Sequence, residues 1–161
     1  MESWQNFFLG ELGASAALAG LIFVSLSVNQ ARILELASLP ERGLQALLAL
    51  FLVLLVSSVM LVPAQGPPAV GMEIIALAAI HIVSLFLIQR TEIRCIAIEY
   101  RHNAVRMAVL SQLAAWPFAA AGGLLVARDD WAGLYVLVPA TLLSFAVAGF
   151  NAWVLLIEIN R

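Results

Sequence analysis

The chain has 161 residues, 63% of them hydrophobic and 11% charged, against roughly 45–50% and about 25% in an ordinary soluble domain. A water-soluble fold is excluded, and four or five membrane helices of about 20 residues each leave no room for a soluble catalytic or nucleic-acid-binding domain. Eight basic and ten acidic residues give a net charge of -2, which provides no electrostatic attraction to nucleic acid.

Five apolar stretches predict helices at about 4–28, 44–62, 69–88, 104–126 and 131–157, forming one all-α transmembrane bundle over residues 1–161, or four helices if the first stretch does not cross. The segment Met1 to Phe8 carries Glu2 and no positive charge, so it lacks the basic start of a signal peptide and is read as part of the mature protein. The first stretch also contains Glu11. A carboxylate inside a helix costs ~3 kcal/mol on the insertion scale, offset by roughly six Leu-like residues at about -0.5 each, which Leu18, Leu21, Ile22, Phe23, Val24 and Leu26 supply.

Polar side chains in lipid normally turn toward the bundle interior. At 100° per residue Ser15, Ser25 and Asn29 fall within about 40° of Glu11, a stripe running nearly the depth of the membrane. The opposite side carries Gly13, Ala17 and Gly20, small residues that allow close approach of another helix within or between subunits. The second helix, interrupted only by Ser57 and Ser58, reads as lipid-facing. It ends in PAQGPP (63–68), where Pro and Gly force a short turn.

On the third helix Glu73, Ser84 and Thr91 lie within about 20° of one another, with His81 about 80° away near the midplane. Residues 89–103 form an inner amphipathic linker continuing this helix, with Ile93, Ile96, Ala97 and Tyr100 at helical spacing. Arg90, Arg94 and Arg101 there, and Arg106 just beyond, meet anionic lipid headgroups, or the linker contacts a subunit or partner. The fourth helix is rich in Ala and Gly, with a kink expected at Trp116-Pro117. Asp129-Asp130 reads as a solvated turn or a weak cation site. The fifth helix carries Thr141, Ser144, Ala148, Asn151 and Glu158 on one stripe.

Seven Arg (32, 42, 90, 94, 101, 106 and 161) fall on one side of the membrane and only Arg128 on the other. The positive-inside rule makes the seven cytoplasmic, with the N-terminus outside and the C-terminus inside. Trp4, Trp131 and Tyr135 fall at the outer interface, Trp153 and Tyr100 at the inner. All eight basic residues are Arg, which suits bidentate contact with lipid phosphates, although codon usage is the favoured explanation of the bias.

Cys95 is the only cysteine, so it forms no intramolecular disulfide, and Cys95, His81 and His102 are not spaced as a metal site. No cofactor is expected. Gly13-Ala14-Ser15, with His81 as base, is similar to the Gly-x-Ser of intramembrane serine proteases but lacks the Gly after Ser. No enzyme is expected.

The run GASAALAGLIFVSLSVN (13–29), the short basic loop Leu39-Pro40-Glu41-Arg42 and a Leu-rich second helix ending in Val62-Pro63-Ala64-Gln65 resemble an uncharacterised group of small bacterial multi-helix integral membrane proteins. The likeness covers about the first 65 residues in pattern and the whole chain in layout. It implies the bacterial inner (cytoplasmic) membrane and carries over no activity and no site residue.

Two functions follow as expectations. In the first, a homo-oligomeric channel passively conducts a small ion, a cation or proton, along Glu11, Ser15, Ser25, Asn29, Glu73, His81, Ser84 and Asn151, with the two Glu forming an outer vestibule. In the second, these groups merely hydrogen-bond across helices, and the chain is a non-conducting accessory or regulatory subunit scaffolding a larger membrane complex. A secondary transporter is disfavoured, because the sequence holds no inverted repeat.

Overall fold

The computed structural model describes residues 2–35, 39–95 and 98–159. Their elements are α1 (Glu2–Val28), α2 (Gln30–Glu35), α3 (Leu39–Met60), α4 (Pro67–Cys95), α5 (Ile98–Arg128), a 3-10 turn (Trp131–Gly133) and α6 (Leu134–Ile159). A lipid environment gives backbone N–H and C=O groups no partner, so long apolar runs satisfy themselves as helices. Five of them, α1, α3, α4, α5 and α6, are long and apolar enough to cross a bilayer. The protein is an all-α, multi-pass membrane bundle.

Helix ends follow local chemistry. After α3 the chain tightens, Leu61 N–H donating to Ser58 O and Val62 N–H to Val59 O, both at 3.1 Å. Ala64 then takes a left-handed φ of 63°, and α4 restarts at Pro67, whose missing N–H costs nothing in a first turn. Asp129, at φ 51°, ends α5 in the same way, a conformation Asp tolerates better than most residues. Asn29 interrupts α1 only slightly, since Asn29 N–H donates to Ser25 O and Ile33 N–H to Asn29 O, so α2 continues nearly in line.

Packing fixes the register. Phe8 lies in one buried cluster with Val56 and Met60 of α3, Val70 and Ile74 of α4, Phe118 and Leu125 of α5, and Leu134 and Leu137 of α6. Farther along, Ala19 packs with Ala49, Leu50 and Ala148. Beyond that, Leu26 packs against Ile33, Leu39 and Leu155. Thus α1 runs antiparallel to α3 and parallel to α6 over its whole length, as a helix that spans with the others does. At the first cluster's end of the bundle Trp4 stacks edge-on to Tyr135, ring centroids 5.1 Å apart.

The second predicted helix is mostly buried rather than lipid-facing, with only a strip including Leu44, Phe51 and Leu55 exposed. As α3 it is the centre of the bundle, packed by α1, α4 and α6, with Ala46, Leu50, Val53, Val56 and Ser57 fully buried. Apolarity could not distinguish the two placements, because lipid tails and a protein core are equally apolar. The Ala- and Gly-rich helix serves close packing within the chain, with Ala114, Ala115, Ala121 and Gly122 of α5 buried. It runs through Pro117 as one helix.

Residues 89–103 divide between the end of α4 and the start of α5. The 29 residues of α4 and 31 of α5 amount to ~44 and ~46 Å of helix, well beyond the roughly 30 Å hydrocarbon core. The two pack as a long hairpin with an Arg-rich end. Ile96, Ala97 and Arg161, and the side chains of Arg32, Cys95, Glu99, Tyr100 and Glu158, lie outside what the structure describes.

Candidate functional site

The polar stripe of α1 turns inward at its start. Glu11 is 9% exposed and Ser15 fully buried. The Glu11 carboxyl lies against the Thr141 hydroxyl of α6, and Thr141 donates to Val138 O at 2.9 Å. Ser15 donates to Leu12 O at 3.0 Å. Ser144 of α6 and Ser57 of α3 are buried as well, so α1, α3 and α6 each carry buried polar groups. Glu11 Oε2 and Ser57 Oγ have no hydrogen-bond partner among the described residues. Farther along α1, Ser25 and Asn29 are only half-buried, and Asn29 donates to Ser25 O at 2.9 Å.

The stripe expected on the third helix faces outward. Glu73 is exposed and accepts from Gln65 Nε2 of the preceding turn at 3.1 Å, so it forms no vestibule with the buried Glu11. Ser84 donates to Ile80 O at 2.8 Å and Thr91 to Leu87 O at 3.1 Å. Such back-bonding lets a hydroxyl sit on a lipid-facing surface without an outside partner. His81 does turn inward, at 7% exposed, with no side-chain hydrogen bond to the described residues.

The inward face of α4 continues from His81 to Glu92, a residue the stripe reading overlooked. Glu92 is 6% exposed and accepts from Gln45 Nε2 of α3 at 2.8 Å. Arg42 Nε lies 3.6 Å from its other oxygen, with the Arg42 side chain 15% exposed. Nearby, Gln112 of α5 donates to Gln89 Oε1 at 3.2 Å and Gln89 to Ala108 O at 3.4 Å. The signal was present in the sequence: Glu92 follows His81 by 11 residues, about 20° around the helix. From Glu73, by contrast, it lies about 100° around the helix and so off that stripe.

Asn151 of α6 is buried, its Nδ2 without a partner among the described residues. Thr141, Ser144 and Ala148 of the same stripe are likewise buried, as expected. Val53, Val56, Phe118 and Leu137, all fully buried, belong to the one apolar cluster that α3, α5 and α6 share with Phe8.

The small-residue face of α1 makes no close contact with the described residues. Gly13, Ala17 and Gly20 are exposed, and a Cβ added at Gly13 or Gly20 would meet nothing within 4 Å. Arg90, Arg94, Arg101 and Arg106 are all exposed. At the opposite end Asp130 caps the 3-10 turn, its carboxylate accepting from Ala132 N–H at 2.9 Å and from Arg128 Nε at 3.1 Å. Among the described residues no group of three or more His, Cys, Asp or Glu side chains is placed to hold a metal ion. No protein-family model, curated protein or solved structure matches the chain.

Proposed function

We propose that the protein is a membrane subunit that works by assembly, a five-helix scaffold presenting the small-residue face of α1 to another membrane helix. The observation that carries this reading is the open space over Gly13 and Gly20 on a helix whose Glu11 and Ser15 are turned into its own bundle. Small residues at four-residue spacing let helix backbones approach closely in lipid, where packing rather than hydrophobicity drives association. The occupant is a second copy or an unlike membrane protein. The Arg distribution and the resemblance to small bacterial membrane proteins support the cytoplasmic membrane, with the Arg-rich ends inside and the start of α1 outside.

The test is crosslinking in native membranes with a thiol-directed photoreactive reagent, which captures a neighbour whether or not it carries a cysteine. In a Cys95→Ser background, Gly13→Cys or Ala17→Cys should give a crosslinked species at near-stoichiometric yield, whereas Val83→Cys should not. A chain that stays uncrosslinked from the α1 face at native abundance overturns the reading.

Ion conduction is the second reading. It is supported by buried, unpartnered polar atoms at Glu11, Ser57 and Asn151, the kind of groups a hydrated path uses. One five-helix protomer hardly surrounds a continuous pore, so such a path would have to run between copies. Purified protein in liposomes should then pass protons or monovalent cations, and Glu11→Gln or His81→Ala should change the flux. Vesicles that hold a pH gradient with the wild-type protein present exclude it.

A further inference from the structure

A groove of about 830 Å³ runs along the α4–α5 hairpin. Its walls include Val83, Phe86, Val109, Leu113 and Trp116, all exposed and apolar, and Gln89 and Gln112 line its middle. At the Arg-rich end stand Arg90, Arg94 and Arg101. Arg106, also exposed on α5, is not part of the lining.

Two properties identify an occupant. The first is length. From Ile82 to Arg94 the groove follows α4 over twelve helical rises, ~18 Å at 1.5 Å each, whereas one leaflet contributes about 15 Å to the hydrocarbon core. The groove thus starts at the headgroup level and stops near the bilayer midplane, the reach of an acyl chain. A docked transmembrane helix would need a face running through both leaflets. The second is charge. Three guanidinium groups gather at the headgroup end, and guanidinium binds phosphate oxygens in a bidentate fork.

We propose that this groove binds an anionic glycerophospholipid from the leaflet at the Arg-rich ends of the helices. An acyl chain lies along the apolar walls, and Arg90, Arg94 and Arg101 hold the phosphate. This goes beyond a general attraction of Arg to headgroups, since chain slot and phosphate clamp are parts of one site. It stands whether the protein assembles or conducts.

Trp116, at the deep end, is a built-in reporter once Trp4, Trp131 and Trp153 are replaced by Phe. That single-Trp protein is placed in vesicles of phosphatidylcholine with one-tenth phosphatidylglycerol, bromine being carried on the chains either of the phosphatidylglycerol or of an equal amount of phosphatidylcholine. Trp116 quenching by brominated phosphatidylglycerol should be at least twofold greater. Arg90→Gln with Arg94→Gln and Arg101→Gln should bring the ratio to one, while Arg106→Gln leaves it unchanged. Ala108→Phe, which keeps every Arg and narrows the groove, should also lower the preferential quenching and provides a second route if the triple variant does not fold. Equal quenching by the two lipids overturns the proposal, as does a loss with Arg106→Gln as large as that of the triple change. Trp116 shielded from both brominated lipids means that protein fills the groove and overturns it too.

Discussion

Gly71 of α4 and Gly122 of α5 lie so close that a Cβ built on either would stand 2.7 Å from the other's carbonyl oxygen. Backbone cannot yield as a flexible side chain does, so Gly71→Ala or Gly122→Ala should force the hairpin apart and destabilise by about 1–3 kcal/mol, the usual cost of overpacking. The neighbouring Gly123 meets nothing within 4 Å. Gly123→Ala should be neutral or stabilising by up to about 1 kcal/mol, from helix propensity alone. Unfolding in detergent against added SDS measures all three. Equal behaviour at Gly122 and Gly123 would show that the close crossing does not limit stability.

Glu92, with Gln45 and Arg42, joins α3 to α4 at the Arg-rich end. Removing one partner of a buried charge pair costs about 3–5 kcal/mol when both are fully enclosed. Arg42 is 15% exposed at 3.6 Å, so Glu92→Ala should fall below that range. The discriminating measurement is a double-mutant cycle of Arg42→Ala and Glu92→Ala. The double change should cost clearly less than the two singles together. Strict additivity would mean that the pair contributes no coupling and that Gln45 alone satisfies Glu92.

The cluster at Glu92 also marks where the sequence was readable. The helices, their spans and the inward turn of Glu11, Ser15, Thr141, Ser144 and Asn151 were legible, because periodicity at 3.6 residues per turn reports a face directly. The inward face of α4 was not, because Ser84 and Thr91 satisfy themselves on Ile80 O and Leu87 O and look like core residues only by composition. The central position of α3 was invisible for a different reason. An almost wholly apolar helix carries no angular signal, and only its small residues Gly43, Ala46 and Ala49, all buried, hint at close neighbours.

Asp130 offers a pH test outside the membrane. Its carboxylate accepts from Ala132 N–H and, second, sits beside Arg128, and both hold its pKa below the ordinary aspartate value. A depressed pKa in the folded state means that the stabilisation is present above the unfolded value and is lost as pH falls through the folded one. The melting temperature of wild type should therefore exceed that of Asp130→Ala at neutral pH, and the gap should close on acidification below the normal aspartate range. A gap independent of pH would assign the cap to geometry rather than charge.

Ser57 and Ser84 sit in opposite circumstances and should respond oppositely to the same change. Ser84 already bonds to Ile80 O on a lipid-facing surface, so Ser84→Ala should alter stability by less than about 0.5 kcal/mol, as surface substitutions do. Ser57 is fully buried with no partner for its hydroxyl among the described residues. An unsatisfied buried polar group costs about 1–3 kcal/mol, so Ser57→Ala should stabilise the isolated protein. Stability retained below its optimum at a buried hydroxyl is what a working polar site requires. The same SDS titration decides it: if Ser57→Ala weakens the fold, the hydroxyl is bonded in the membrane and its role is structural.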